Sequence, residues 1–126
     1  MFKSQSTFNV LYTSDIEKTY DFFKGLGLEI KQHENDKVVV VFGSFDLHFV
    51  LSSTEPFEAY KYITETNNYG QGIIFYIETT DIRNAQRLIE ERGGVIKAPV
   101  FKNNWGCEEL LFEDTNGYKF ALFQEL

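Results

Sequence analysis

Few side chains of this chain are of the types that carry out chemistry. There are two histidines, His33 and His48, and one cysteine, Cys107. No Ser-His-Asp arrangement, phosphate-binding glycine loop or paired-cysteine metal motif is present. Cys107 has no histidine within sequence reach to activate it, so it reads as an unreactive strand thiol. His48 has two readings, a simple hydrogen-bonded strand residue or a polar, weakly acid–base handle. His33 adjoins the polar turn Glu34-Asn35-Asp36 and reads as solvent-exposed. What the chain holds in quantity is rings: with 13 Phe, 7 Tyr and Trp105, aromatics make up 17% of it. Rings fill cores, and they also line pockets for flat ligands.

The elements that must position these rings follow a repeated pattern. Phe8 to Thr13 is rich in aromatic and β-branched residues and reads as a strand. Ser14 stands three residues before Glu17, a capping-box spacing that starts a helix. Ile16, Tyr20, Phe22 and Phe23 give that helix one apolar face, and Gly25 and Gly27 stop it. Leu28–Gln32, Lys37–Phe42 and Phe45–Ser52 then read as three strands. A connector over 53–69, carrying Pro56 and the polar run Thr64-Glu65-Thr66-Asn67-Asn68, allows one helical turn. The pattern restarts with a strand over Ile73–Thr79 and a helix capped by Asp81, with Ile82, Ala85, Leu88 and Ile89 on one face. Gly93-Gly94 ends it, a short strand Val95-Ile96 stops before Pro99, and two strands flank the turn Asp114-Thr115-Asn116-Gly117. In that turn Asn-Gly is expected to supply positive φ angles.

At a constant offset of 66 residues Thr13 matches Thr79, Asp15 matches Asp81, Ile16 matches Ile82, Phe23 matches Ile89 and Gly27 matches Gly93. Strand, cap, helix face and helix stop recur in register, which predicts two like units about a pseudo-twofold. The length of 126 residues suits one domain, with module one over about 7–52 and module two over about 70–126. A net charge of −7 opposes binding to nucleic acid or anionic lipid. No apolar run of about 18 residues is present to span a bilayer. The N-terminus has no apolar stretch like a signal peptide, and one cysteine allows no internal disulfide. A reducing cytoplasm is the expected location.

Two stretches resemble the vicinal oxygen chelate superfamily of glyoxalases, extradiol dioxygenases and bleomycin-resistance proteins. Asn9 to Ile16, continuing to Phe22-Phe23-Lys24-Gly25-Leu26-Gly27-Leu28, resembles its opening strand, Asp-hydrophobic turn, aromatic helix and Leu-Gly stop. Trp105-Gly106 with Asp114-Thr115-Asn116-Gly117-Tyr118 resembles its closing hairpin, with Thr115 in place of the usual proline. The resemblance implies an α+β fold: two βαβββ modules form a curved mixed sheet, a cup, with the helices outside. It also implies a homodimer, because family members commonly complete each cup with two chains.

The metal enzymes of that family hold a divalent ion with side chains from the first and last strands of each module. By the resemblance those positions are Phe8, Ile74, Ala121, and Val50 or His48. A hard divalent ion needs oxygen or nitrogen donors, and at best one is offered. The resemblance therefore points to the metal-free, bleomycin-resistance-like branch, with no cofactor. Strand alternation puts Phe8, Val10, Tyr12, His48, Val50, Ile74, Tyr76, Ala121 and Phe123 on the cup side, together with Glu78 and Lys119. The opposite parity, Leu11, Leu47, Phe49, Leu51, Phe75, Ile77, Phe120 and Leu122, suits packing under the helices. The resemblance adds Trp105 to the groove; alone it reads equally as a loop ring over the core edge.

The expected function is metal-independent binding of a small, partly apolar or cationic molecule in an aromatic cup, with antibiotic sequestration as one form. Two alternatives stand beside it: a metal-dependent lyase or dioxygenase with atypical ligands, and a non-catalytic regulatory or accessory dimer. The same side chains also admit a filled second core instead of an open cup.

Overall fold

A computed structural model describes residues 2–54, 60–65 and 69–126. Pro56 and Thr66-Asn67-Asn68 of the connector lie outside the described residues. The first module runs β1 (Leu11–Thr13), α1 (Ile16–Gly25), β2 (Glu29–His33), β3 (Lys37–Phe42) and β4 (Phe45–Leu51). A 3-10 turn at Ser52–Thr54 and the short α2 (Lys61–Thr64) belong to the connector. The second module repeats the order as β5 (Phe75–Glu78), α3 (Ile82–Glu91), β6 (Val95–Lys102), β7 (Cys107–Glu113) and β8 (Lys119–Glu125). The strands form two four-stranded mixed sheets, ordered β1-β4-β3-β2 and β5-β8-β7-β6, each with one parallel pair. The fold is α+β with two βαβββ modules, as the repeat predicts.

The repeated aspartates cap both helices. Asp15 accepts from the Lys18 amide at 3.0 Å and Asp81 from the Asn84 amide at 3.2 Å. The cap is thus Asp15 and not the Ser14 of a capping box. Gly27 and Gly93 follow the last turns at φ 88° and 95°, where a β-carbon would be strained.

Three strand expectations need correction. Phe8, Asn9 and Val10 lie outside β1. The Asn9 side chain takes over the pairing there: it accepts from the His48 amide at 3.1 Å and donates to the Asp46 carbonyl at 2.8 Å. Residues 73 and 74 precede β5, where Ile73 closes a turn onto Gly70. The strand at Val95 does not stop at Pro99 but continues to Lys102. β6 is an edge strand with register shifts on both sides of Ala98, so a missing N–H is tolerated. In the closing turn only Gly117 has positive φ; Asn116 does not.

One core joins the modules. The parity assigned to the helix side holds: Leu11, Leu47, Phe49, Phe120 and Leu122 are buried, and Leu51, Phe75 and Ile77 pack against them. Phe23 of α1, fully buried, lies 5.2 Å from Phe49 in its own sheet and 5.9 Å from Phe120 in the other. A polar joint adds to this. Thr13 donates to Asn116 at 2.6 Å, Asn116 donates to Thr19 at 3.1 Å, and the Tyr118 hydroxyl donates to the Tyr12 carbonyl at 2.7 Å. Asp114 holds the hairpin by accepting the Asn116 and Tyr118 amides. Burial pushes its carboxyl up to about 6, against those hydrogen bonds, which lower it.

Candidate functional site

Because both sheets give their helix-bearing faces to the shared core, their other faces are turned away from it. The predicted lining falls into two groups, one per sheet. On the first, Tyr12, Val50 and Lys37 stand side by side across β1, β4 and β3, next to the row of His48, Val39 and Gln32. On the second, Tyr76, Ala121 and Leu111 stand in one row and Glu78, Phe123 and Glu109 in the next. The ring contacts among these residues stay within a sheet: Phe8 lies 6.0 Å from His48, and Tyr76 lies 6.5 Å from Phe123. Tyr12 and Ala121 are buried; Phe8, Tyr76 and Trp105 are 72%, 54% and 77% exposed, and Val10 and Ile74 are exposed as well.

The first face is polar at one end. His48 Nε2 is 3.0 Å from Asp46 Oδ1, and Lys31 Nζ reaches Asp46 Oδ2 at 3.4 Å. Partial desolvation opposes ionisation of Asp46, but the hydrogen bonds and charges of His48 and Lys31 prevail and hold its carboxyl below the ordinary value. His48 is therefore tied to Asp46, whose charge is paired with Lys31. His33 is exposed as expected, although Tyr20 stacks on its ring at 3.9 Å and Glu17 lies 2.9 Å from Nε2.

The second face holds a group the sequence reading missed. Glu109 shares the side of Leu111, is only 4% exposed, and accepts from Asn103 Nδ2 at 3.0 Å. The pKa of the Tyr76 phenol is raised, first by hydrogen bonding toward the same carboxylate and then by some desolvation. Asn103 Oδ1 accepts from the amides of Trp105 and Cys107 at 2.9 and 3.1 Å, so one side chain ties the Trp105 loop to Glu109. The available signal was parity. Glu109 alternates with the core residues Leu110 and Phe112, but a strand glutamate ordinarily reads as solvated.

The positions that would hold a divalent ion do not fit one. Phe8, Val50, Ile74 and Ala121 carry no donor, and the nearby His48 is engaged by Asp46. Among the described residues no cluster of three or more His, Cys, Asp or Glu side chains is placed to hold a metal. No described helix is long and apolar enough to cross a membrane. A separate cavity of about 300 Å³ opens between the helices and β5, lined by Phe23, Leu26, Phe42, Ile77, Ala85 and Leu88.

Solved structures share this arrangement. A hypothetical protein from S. aureus superposes with a TM-score of 0.81 at 17% identity, covering 98% of this chain and 95% of that one. A glyoxalase-related enzyme from Fulvimarina pelagi gives 0.78 at 13% identity, with 98% and 89% covered. A superfamily member from Sphaerobacter thermophilus gives 0.68 at 25% identity, with 98% of each chain covered. No curated protein matches the chain significantly. The family model of the glyoxalase/bleomycin resistance protein/dioxygenase superfamily matches residues 7–122. With its repeated module, its capped helices and its paired four-stranded sheets, the chain belongs to that superfamily.

Proposed function

We propose that this protein binds a small, partly apolar or cationic molecule on its aromatic sheet faces, without a metal. The observation that carries this reading is the exposure of Phe8, Tyr76 and Trp105 on faces that the core leaves free. Large rings exposed on or beside a sheet face are a common feature of small-molecule binding surfaces. The apolar side chains at the family's ligand positions support a metal-independent mode. In this reading a second copy of the chain covers the free faces, so that a first-module face and a partner's second-module face together form a cup. The short edge strand β1 and the open faces favour such a twofold partner. Sequestration of an antibiotic, as in bleomycin resistance, is the concrete form proposed, and a reducing cytoplasm is its setting.

Two measurements test this. Light scattering at micromolar concentration should give twice the single-chain mass of 14.7 kDa. In the presence of a chelator, planar aromatic compounds, bleomycin among them, should raise the melting temperature by mass action. A monomeric mass, or stabilisation that appears only with added Zn, Ni, Mn or Fe, contradicts the reading.

A further inference from the structure

The second-module face contains a buried acidic side chain with no lysine or arginine paired to it among the described residues. The Glu109 side chain is almost wholly buried, and among the described residues its hydrogen-bond donor is the neutral Asn103 amide. Among the described residues no lysine or arginine pairs with it, whereas Asp46 on the other face has both His48 and Lys31. A carboxylate offers about four lone-pair sites, and Asn103 fills one of them. Burying a charge without a counter-charge is costly unless something else supplies one. The ring of Tyr76 stands half-exposed beside it, Phe123 lies next to Glu109 in the register, and Trp105 is tethered through Asn103.

We infer that Glu109 is the counter-charge for a planar organic cation, an amidinium, guanidinium or aryl-ammonium group, bound on the Tyr76–Phe123 face. The inference rests on the proposed binding role of that face and assigns its specificity. N–H groups of the cation fill the free lone pairs of the carboxylate, and the ring faces add cation–π attraction. Asn103 is a positioning residue: it joins the carboxylate to the backbone of the loop that carries Trp105.

The probes are benzamidinium and its neutral near-isostere benzamide, titrated while following emission of Trp105, the single tryptophan. The wild type should bind benzamidinium at least about tenfold more tightly than benzamide, since a hydrogen-bonded charge contributes at that level. Glu109→Gln keeps size and acceptor; it should bring that ratio close to one while changing benzamide affinity less than about twofold, by the same difference measurement. A second readout needs no variant: the side-chain carboxyl carbon resonance of Glu109 should shift with benzamidinium and stay in place with benzamide. If both compounds bind equally, if the Gln variant keeps the preference, or if the carboxyl resonance does not respond, the assignment to Glu109 is overturned while the binding face stands. If neither compound binds, both the face and its specificity are overturned.

Discussion

The two free faces of this molecule occupy like places in like modules, yet they treat charge differently. On the first, Asp46 is held by the His48 ring at 3.0 Å and paired with the Lys31 ammonium at 3.4 Å. On the second, Glu109 sits deep in the sheet and meets only neutral donors. A carboxylate already paired with a cation has less to offer a ligand than one met only by neutral donors. In the proposed reading the repeat supplies a common scaffold, and the difference in charge pairing puts selection of the ligand on one face and leaves mainly apolar contact to the other.

The largest effect expected is one that removes the comparison altogether. Phe23 touches rings of both sheets. Phe23→Ala should cost about 3–5 kcal/mol in urea unfolding and loosen both faces together. A loss below about 1 kcal/mol would mean that the modules are not held by a shared core.

The joint between modules should carry its own pH signature. In the folded protein the Asp114 carboxyl is raised to about 6 from an ordinary 3.8. Between those values the folded state holds a proton that the unfolded state has released. Stability from this group is therefore gained as pH falls through 6 and is complete by about 4, a gain of up to about 3 kcal/mol. The stability difference between wild type and Asp114→Asn, followed by chemical denaturation from pH 7.5 to 4.5, should move in favour of the wild type as acid is added. A flat difference would show that the carboxyl titrates normally.

Matched deletions sharpen the contrast. Asn9→Ala and Asn103→Ala each remove side-chain bonds to backbone amides and should each cost about 1–2 kcal/mol. Only Asn103→Ala should change the emission maximum of Trp105 and weaken benzamidinium binding; equal effects on binding would erase the distinction between the faces. Smallest of all is His48→Ala. Its partner Asp46 keeps Lys31, so benzamidinium affinity should change less than about threefold, well short of the loss expected at Glu109. A tenfold loss would move charge selection to the first face.

The fold was legible because its signals are local and repeated. Asp15 with Asp81, and Gly27 with Gly93, mark helix ends by side-chain and backbone chemistry that needs no tertiary context. Strand parity likewise separated Phe49, Phe120 and Leu122 from Tyr12, Tyr76 and Phe123. What was hidden depended on neighbours. Pro99 looked like a strand stop, but an irregular edge position removes the need for its N–H. Asn9 lies in a stretch read as strand, and there its amide group does the pairing of one. Glu109 carries the residue type of a solvated strand position, and it is the fold that buries it and sets Asn103 on its carboxylate. Of the candidate lining, the ring positions were legible and the charge among them was not.

The central claim, that a ligand occupies the aromatic face of the second module, is tested most directly by amide chemical-shift mapping during a benzamidinium titration. The account predicts shifts at Tyr76, Asn103, Trp105, Cys107, Glu109, Ala121 and Phe123, with the chelator present and no metal added. Shifts confined instead to Leu26, Ala85 and Leu88 would place the ligand in the cavity between the helices and contradict it.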